Sequence, residues 1–177
     1  MNVSPQKYDI RTIWLHWTVA LLIVLMWIGA HMIDWFPKGP LRVDARSVHI
    51  VVGAALLILV GYRLYWRMVR GVKFADPSTV TWRLAKFVHY LLYGLILTAL
   101  ALGVANAWVR GDDLFGIGHI PKFGDYDAAA RHALANQIVD WHRLAANAIL
   151  VLAAGHGLVG LGHRWLLKDA ILQRMLP

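Results

Sequence analysis

WHRLAANAILVLAAGHGLVGLGHRW, residues 141–165, decides how this chain is read. With the next two leucines it forms an apolar run from Trp141 to Leu167 whose only Lys, Arg, Asp or Glu up to that point are Arg143 and Arg164, near its ends. A helix of about 20 such residues crosses a hydrocarbon core of roughly 30 Å. The run also holds His142, His156 and His163. An ionisable side chain at membrane depth is costly and by default marks a functional site. His142 and His156 are 14 residues apart. At about 100° per residue that is nearly four whole turns, so both rings face one way. At a rise of about 1.5 Å per residue they stand about 21 Å apart along the axis. The spacing suits two separate sites stacked across a bilayer.

The rest of the chain fits this reading. It is 59% hydrophobic with a mean hydropathy of +0.52, and 16% of its 177 residues are charged. A soluble domain would carry about a quarter. Three more apolar runs are present: Ile13 to Ile33, without a formal charge; Val48 to Trp66, where Arg63 can snorkel from near the helix end; and Phe87 to Val109, again uncharged. The expected fold is all-α: an integral-membrane four-helix bundle in one domain, 1–177, with spans at about 13–33, 48–66, 87–109 and 141–167. Trp14, Trp17, Trp35, Trp66, Trp108, Trp141 and Trp165 fall near run ends, as an aromatic belt requires. The first run is too long for a signal peptide and lacks a small-residue cleavage site, so it is expected to stay as a span. The chain has no cysteine, which excludes disulfides, thiolate metal sites and covalent c-type haem attachment.

Charge orients the bundle. Four spans put both termini on one side. That side holds Lys7, Arg11, Arg63, Arg67, Arg70, Lys73, Arg83, Lys86, Arg164, Lys168 and Arg174 against Asp9, Asp76 and Asp169. The other side has seven basic and seven acidic residues, so the whole net charge of +8 lies with the termini. The positive-inside rule makes that side cytoplasmic. Topology therefore explains the basicity without a nucleic-acid partner. Residues 34–47 read as a short outer loop broken by Pro37, Gly39 and Pro40. Residues 67–86 read as the inner loop, with Pro77 before a helix start at Ser78 or Thr79. The longest connection, 110–140, starts Gly-rich (GDDLFGIGHIPKFG) and ends helix-prone (YDAAARHALANQIVDWH), leading into the fourth span.

Depth sorts the histidines into two layers. His16 and His156 lie toward the cytoplasmic end; His49 and His142 open their helices at the outer face. Bis-imidazole ligation of a flat macrocycle between facing helices is what a b-type haem needs. Glycines 155, 157, 160 and 162 allow close approach of a bulky neighbour, or of another helix. A lone interfacial histidine needs no ligand, but two paired layers on three helices are hard to obtain by chance. Zinc fits poorly, because 14 residues separate His142 from His156 and carboxylate or thiolate co-ligands are missing. An ion transporter would want a mid-span carboxylate, and there is none. His31, offset about 60° from His16 on the helix wheel, competes with His49 for the outer layer. His119 and His132 are expected in solvent. His89 and His163 sit at the cytoplasmic surface, where they could bind and protonate a quinone or simply hydrogen-bond water and headgroups.

The stretches WLHW (14–17), SVHIVVG (47–53), FVHYLLY (87–93), WHRLAAN (141–147) and GHGLVGLGHRW (155–165), and the ending LLKDAILQRMLP, make the chain resemble the bacterial cytochrome b561 family of four-helix, di-haem inner-membrane cytochromes. The resemblance implies two haem b groups on His16, His49, His142 and His156. It favours His49 over His31 and puts a quinone contact near His89 and His163. It also implies transmembrane electron transfer at the bacterial inner membrane, with ubiquinone as acceptor. Some members are assigned oxidation of superoxide; related subunits pass electrons between a partner dehydrogenase or hydrogenase and quinone. Haem propionates want cationic partners. Arg46 and Arg143, each close to an outer ligand, are the candidate anchors, with Arg11 and Arg83 as weaker inner ones. A balanced outer face offers no gross steering of an anion such as superoxide. A redox partner would dock through the outer loops.

Overall fold

The computed structural model describes residues 7–72 and 79–177. Four long helices dominate it: α1 (Ile10–Ile33), α2 (Pro40–Val69), α3 (Val80–Arg110) and α4 (Ala128–Trp165). All four are long and apolar enough to cross a membrane. Three begin at side-chain caps. Asp9 accepts the Thr12 N–H, Thr79 accepts the Trp82 N–H, and Asp127 accepts the Ala130 N–H, each satisfying an orphan donor of a first turn. The fourth, α2, starts with Pro40 at its first position, where the missing N–H costs nothing and the fixed φ suits the helix.

The helices outrun the apolar stretches that announce them. The expected outer loop at 34–47 shrinks to six residues, 34–39, because Pro40 starts a helix rather than breaking one. Gly39 makes this start possible at φ 152°, a value side chains rarely adopt. At the other end of the range α4 stops at Trp165, two residues short of the expected Leu167. Its helix-prone lead-in forms as expected, from Ala128. With 38 residues it is about 57 Å long, so it projects well beyond the hydrocarbon layer. Of the two expected starts for α3, Thr79 is the cap; Ser78 lies outside the described residues, with Lys73, Asp76 and Pro77. One element has no sequence signal: β1 (Asp113–Leu114) pairs antiparallel with β2 (Gly118–His119). It follows Gly111, which ends α3 in the left-handed conformation at φ 64°.

Helix α1 packs along α2 and α3 along α4, while α2 meets α3 over a shorter stretch; α4 is far less closely approached by α1 and α2 than by α3. The central layer is apolar and drawn from all four helices: Val19, Leu56, Val60, Ile96, Ala99, Ala145 and Ile149. Leu21, Leu25, Ile58, Val151 and Leu158 are exposed large apolar residues on the outside of the same helices, the face a bilayer covers. Both ends are braced. At the far end, away from the termini, Ser47 Oγ is fully buried, accepts the Phe115 N–H at 2.9 Å, and lies 2.8 Å from Val43 O and 3.0 Å from Asp113 O. It pins the hairpin to α2. At the terminal end a short 3-10 helix (Leu172–Met175) folds back on α1, where Trp17 Nε1 donates to Met175 O at 2.8 Å.

Candidate functional site

Two pairs of histidine rings face each other across the bundle. At the far end His49 of α2 meets His142 of α4, with ring centres 6.2 Å apart and planes at 76°. At the terminal end His16 of α1 meets His156 of α4, at 6.4 Å and 81°. Helix α4 supplies one ring to each pair. Ile149, seven residues from both, is buried in the apolar layer between them.

These separations can be tested against haem. An iron–nitrogen bond of about 2.0 Å plus about 1.1 Å from nitrogen to ring centre, doubled, gives about 6.2 Å for two imidazoles that would share one iron. Rings that share one iron would turn freely about their bonds to it, so near-perpendicular planes are allowed. Both pairs fit. The surroundings of His142 fit as well. Its Nδ1 lies 2.8 Å from the Ala99 carbonyl. An N–H there fixes the tautomer and leaves Nε2 bare for a metal, the usual arrangement for a ligating histidine. Gly103 clears the space beside this ring; a Cβ at that position would meet His142 Cε1 at 3.4 Å.

The other histidines fall elsewhere. His89 touches His156 with ring centres 5.1 Å apart, too close for two trans ligands of one metal. His163 Nδ1 is 2.6 Å from Asp169 Oδ2, a short charge-assisted contact just beyond the end of α4. Within that turn the Asp169 N–H also bonds His163 O, and Lys168 takes the left-handed conformation at φ 54°. No ring contact joins His89 to His163. His31 is held by its own helix: Nδ1 lies 2.8 Å from Trp27 O, and the Trp27 and His31 ring centres are 4.2 Å apart with planes at 44°. His119 and His132 are exposed.

The basic candidates are also placed. Arg46 reaches Asp112 at 3.4 Å, and Arg110 reaches the same oxygen at 3.1 Å. Arg143 lies 3.8 Å from Asp34 and 4.0 Å from Asp140. Arg11 stacks over Trp66, and Arg83 is exposed in the first turn of α3. Sequence reasoning missed Arg63. It does not snorkel away: its Nη2 is 2.8 Å from His16 Nδ1, and its guanidinium lies 5.3 Å over the Tyr93 ring. The Tyr93 hydroxyl is buried without a hydrogen-bond partner among the described residues. The signal was in the numbering. Arg63 follows His49 by 14 residues, as Gly103 follows His89 and His156 follows His142. Three helices thus carry the same step, which puts one residue of each in each layer.

A family model described as prokaryotic cytochrome b561 matches residues 7–177. "Cytochrome b562" of Cereibacter sphaeroides is 33% identical over 174 residues, spanning 96% of this chain and 94% of that one. "Probable superoxide oxidase CybB" of Yersinia pestis and "Cytochrome b561 homolog 1" of Escherichia coli are each 27% identical, with 97% of both chains covered. No solved structure matches the chain significantly.

Proposed function

The chain belongs to the prokaryotic cytochrome b561 family, multi-pass inner-membrane proteins that bind haem b and transfer electrons, and on that premise we propose that it moves electrons through two haems to ubiquinone. The observation that carries this reading is the pair of 6.2 and 6.4 Å histidine contacts, one at each end, sharing α4. Bound between such rings, haem iron supplies a one-electron store at each level. His49 and His142 hold the far-end position, with Ala99 O orienting His142. His16 and His156 hold the terminal-end position. The apolar layer around Ile149 separates the two and keeps water from the path. With the terminal end cytoplasmic, electrons enter outside and leave inside.

Reducing one quinone takes two electrons and two protons. The electrons arrive singly; the protons come from the cytoplasm. His163 is suited to hand them over, because Asp169 holds its Nδ1 and leaves Nε2 to exchange a proton. His89, against His156, lies nearest the electron's exit. Superoxide is one candidate donor, following the name of the Yersinia relative: two superoxide ions each give one electron and leave as dioxygen. A partner dehydrogenase is the second reading. At the far end Arg46 and Arg110 share Asp112, and Arg143 lies near Asp34 and Asp140, which weakens steering of a small anion. Ile117 and Phe123 are exposed there, as a docking surface would have them.

Liposomes holding the purified protein and ubiquinone, with superoxide generated outside, separate these readings. Haem reduction followed by quinol is expected for a superoxide donor. Reduction only after adding a co-purifying protein favours the partner. Haems that reduce without ever forming quinol reject the quinone step.

A further inference from the structure

The bundle is built as two halves. Helix α1 packs along α2 and α3 along α4, and the halves meet over the shorter seam between α2 and α3. Both histidine pairs cross from one half to the other: His49 of α2 and His16 of α1 each face a ring of α4. Their spacing therefore depends on what closes the second seam, between α1 and α4. Among the described residues, that seam is crossed at the far end by the exposed pair Arg143 and Asp34. Between the histidine levels it is crossed by Trp27 Nε1, which donates to Asn147 Oδ1 at 2.8 Å. Beyond His16 and His156 it is crossed by the C-terminal segment, residues 166–177.

This segment is gripped from both halves. On the α4 side, Asp169 Oδ2 lies 2.6 Å from His163 Nδ1, and Leu172 lies over Gly160, where a Cβ would meet Leu172 Cδ1 at 3.8 Å. On the α1 side, three successive carbonyls accept hydrogen bonds: Arg174 O from the Tyr8 N–H at 3.2 Å, Met175 O from Trp17 Nε1 at 2.8 Å, and Leu176 O from Lys7 Nζ at 3.4 Å. Carbonyls at the end of a helical turn have no partner within it, so donors from elsewhere complete them. Trp17 follows His16 directly, and the two rings stand edge to face with centres 5.3 Å apart.

We propose that residues 166–177 are a strap that fastens the α1–α2 half to the α3–α4 half and, through Trp17, sets the spacing of the terminal-end histidine pair. The tie rests on packing alone; its consequence for haem rests on the two-haem reading above. The far-end pair has its own support, in Ala99 O and Gly103 beside His142, about 21 Å away along α4. The strap therefore acts on one centre and not on the other.

The full-length, haem-loaded protein tests this with two readouts. The chain has no cysteine, so cysteines placed at exposed Leu21 of α1 and Leu158 of α4 carry the only spin labels. Their separation, measured with the haems reduced, reports the seam; haem content and difference spectra report the centres. Leu172→Asp sets a charge against α4 and should lift the strap. Label separations should lengthen and spread, and retention of the terminal-end haem, the one that survives in His142→Ala, should fall about tenfold or more, while the far-end centre keeps its wild-type spectrum. Trp17→Phe, which keeps an aromatic ring and deletes one donated N–H, should weaken terminal-end retention about two- to tenfold. Separations that stay as in wild type in Leu172→Asp overturn the tie. Lengthened separations with both haems held as in wild type, or with both lost alike, overturn its hold on one centre. Should Leu172→Asp fail to fold, unchanged separations and retention in Trp17→Phe overturn it instead. A wild type with fewer than two haems would fail at the two-haem reading, and the label separations then decide the tie alone.

Discussion

Replacing Gly103 separates a crowded haem ligand from a merely crowded helix. The position faces His142: a Cβ there would lie 3.4 Å from Cε1 and 3.6 Å from Nδ1. Alanine therefore makes ordinary contact and nothing has to move. It also removes a glycine from the middle of a helix, which favours the fold by about 0.8–1.0 kcal/mol. Valine is different. Its γ carbons stand about 1.5 Å beyond Cβ on a side chain stiff at χ1, so the gap to the ring closes to about 2–3 Å. The imidazole must turn, losing its bond to Ala99 O. Overpacking costs about 1–3 kcal/mol. The lost hydrogen bond costs about 0.5–1.5 kcal/mol. Together they weaken far-end haem retention by roughly ten- to two-thousand-fold. The assay is haem stoichiometry with reduced-minus-oxidised spectra. Gly103→Ala should match wild type; Gly103→Val should lose the far-end haem and keep the other. A Gly103→Val protein with both haems and unaltered spectra would refute the placement of His142.

Two further outcomes follow from the ends of the bundle. Ser47→Ala removes the buried hydroxyl that joins the hairpin to α2, at a cost of about 1–3 kcal/mol, so amides of residues 112–120 should lose hydrogen-exchange protection while the terminal-end haem is unaffected. The Asp169 carboxyl is held below its ordinary value of 3.8, first by the hydrogen bond from His163 and then by the Ile171 N–H. A lowered carboxylate value means stability that is complete above the ordinary value and drains away as pH falls through the folded one. Protection of residues 169–176, corrected for intrinsic rates, should therefore hold at neutral pH and fall only on acidification below about 4, and Asp169→Asn should lose part of it at neutral pH, the difference from wild type closing in acid. A neutral-pH loss in wild type, or an unchanged Asp169→Asn, would count against the contact.

The four helices were legible because bilayer-length apolar runs are a strong signal, and the two histidine layers because a fourteen-residue step keeps one face. What escaped was of another kind. Pro37, Gly39 and Pro40 read as breakers, yet the same Pro40 is a good first helical residue; composition does not say on which side of a proline the helix lies. The hairpin after Gly111 rests on a tertiary anchor, Ser47, 66 residues from Asp113. Asp169 comes under His163 through a left-handed Lys168, a conformation no lysine advertises. Arg63 was visible as a charge in an apolar run, but that it turns inward to His16 and Tyr93 is a property of packing.

The central claim is that one helix, α4, holds a ligand for each of two haems. Haem content and difference spectra of purified wild type, His142→Ala and His156→Ala test it most directly. Two b-type haems are expected in wild type, with the far-end centre lost in the first variant and the terminal-end centre lost in the second. A single haem in wild type, or the same centre lost in both variants, would contradict it.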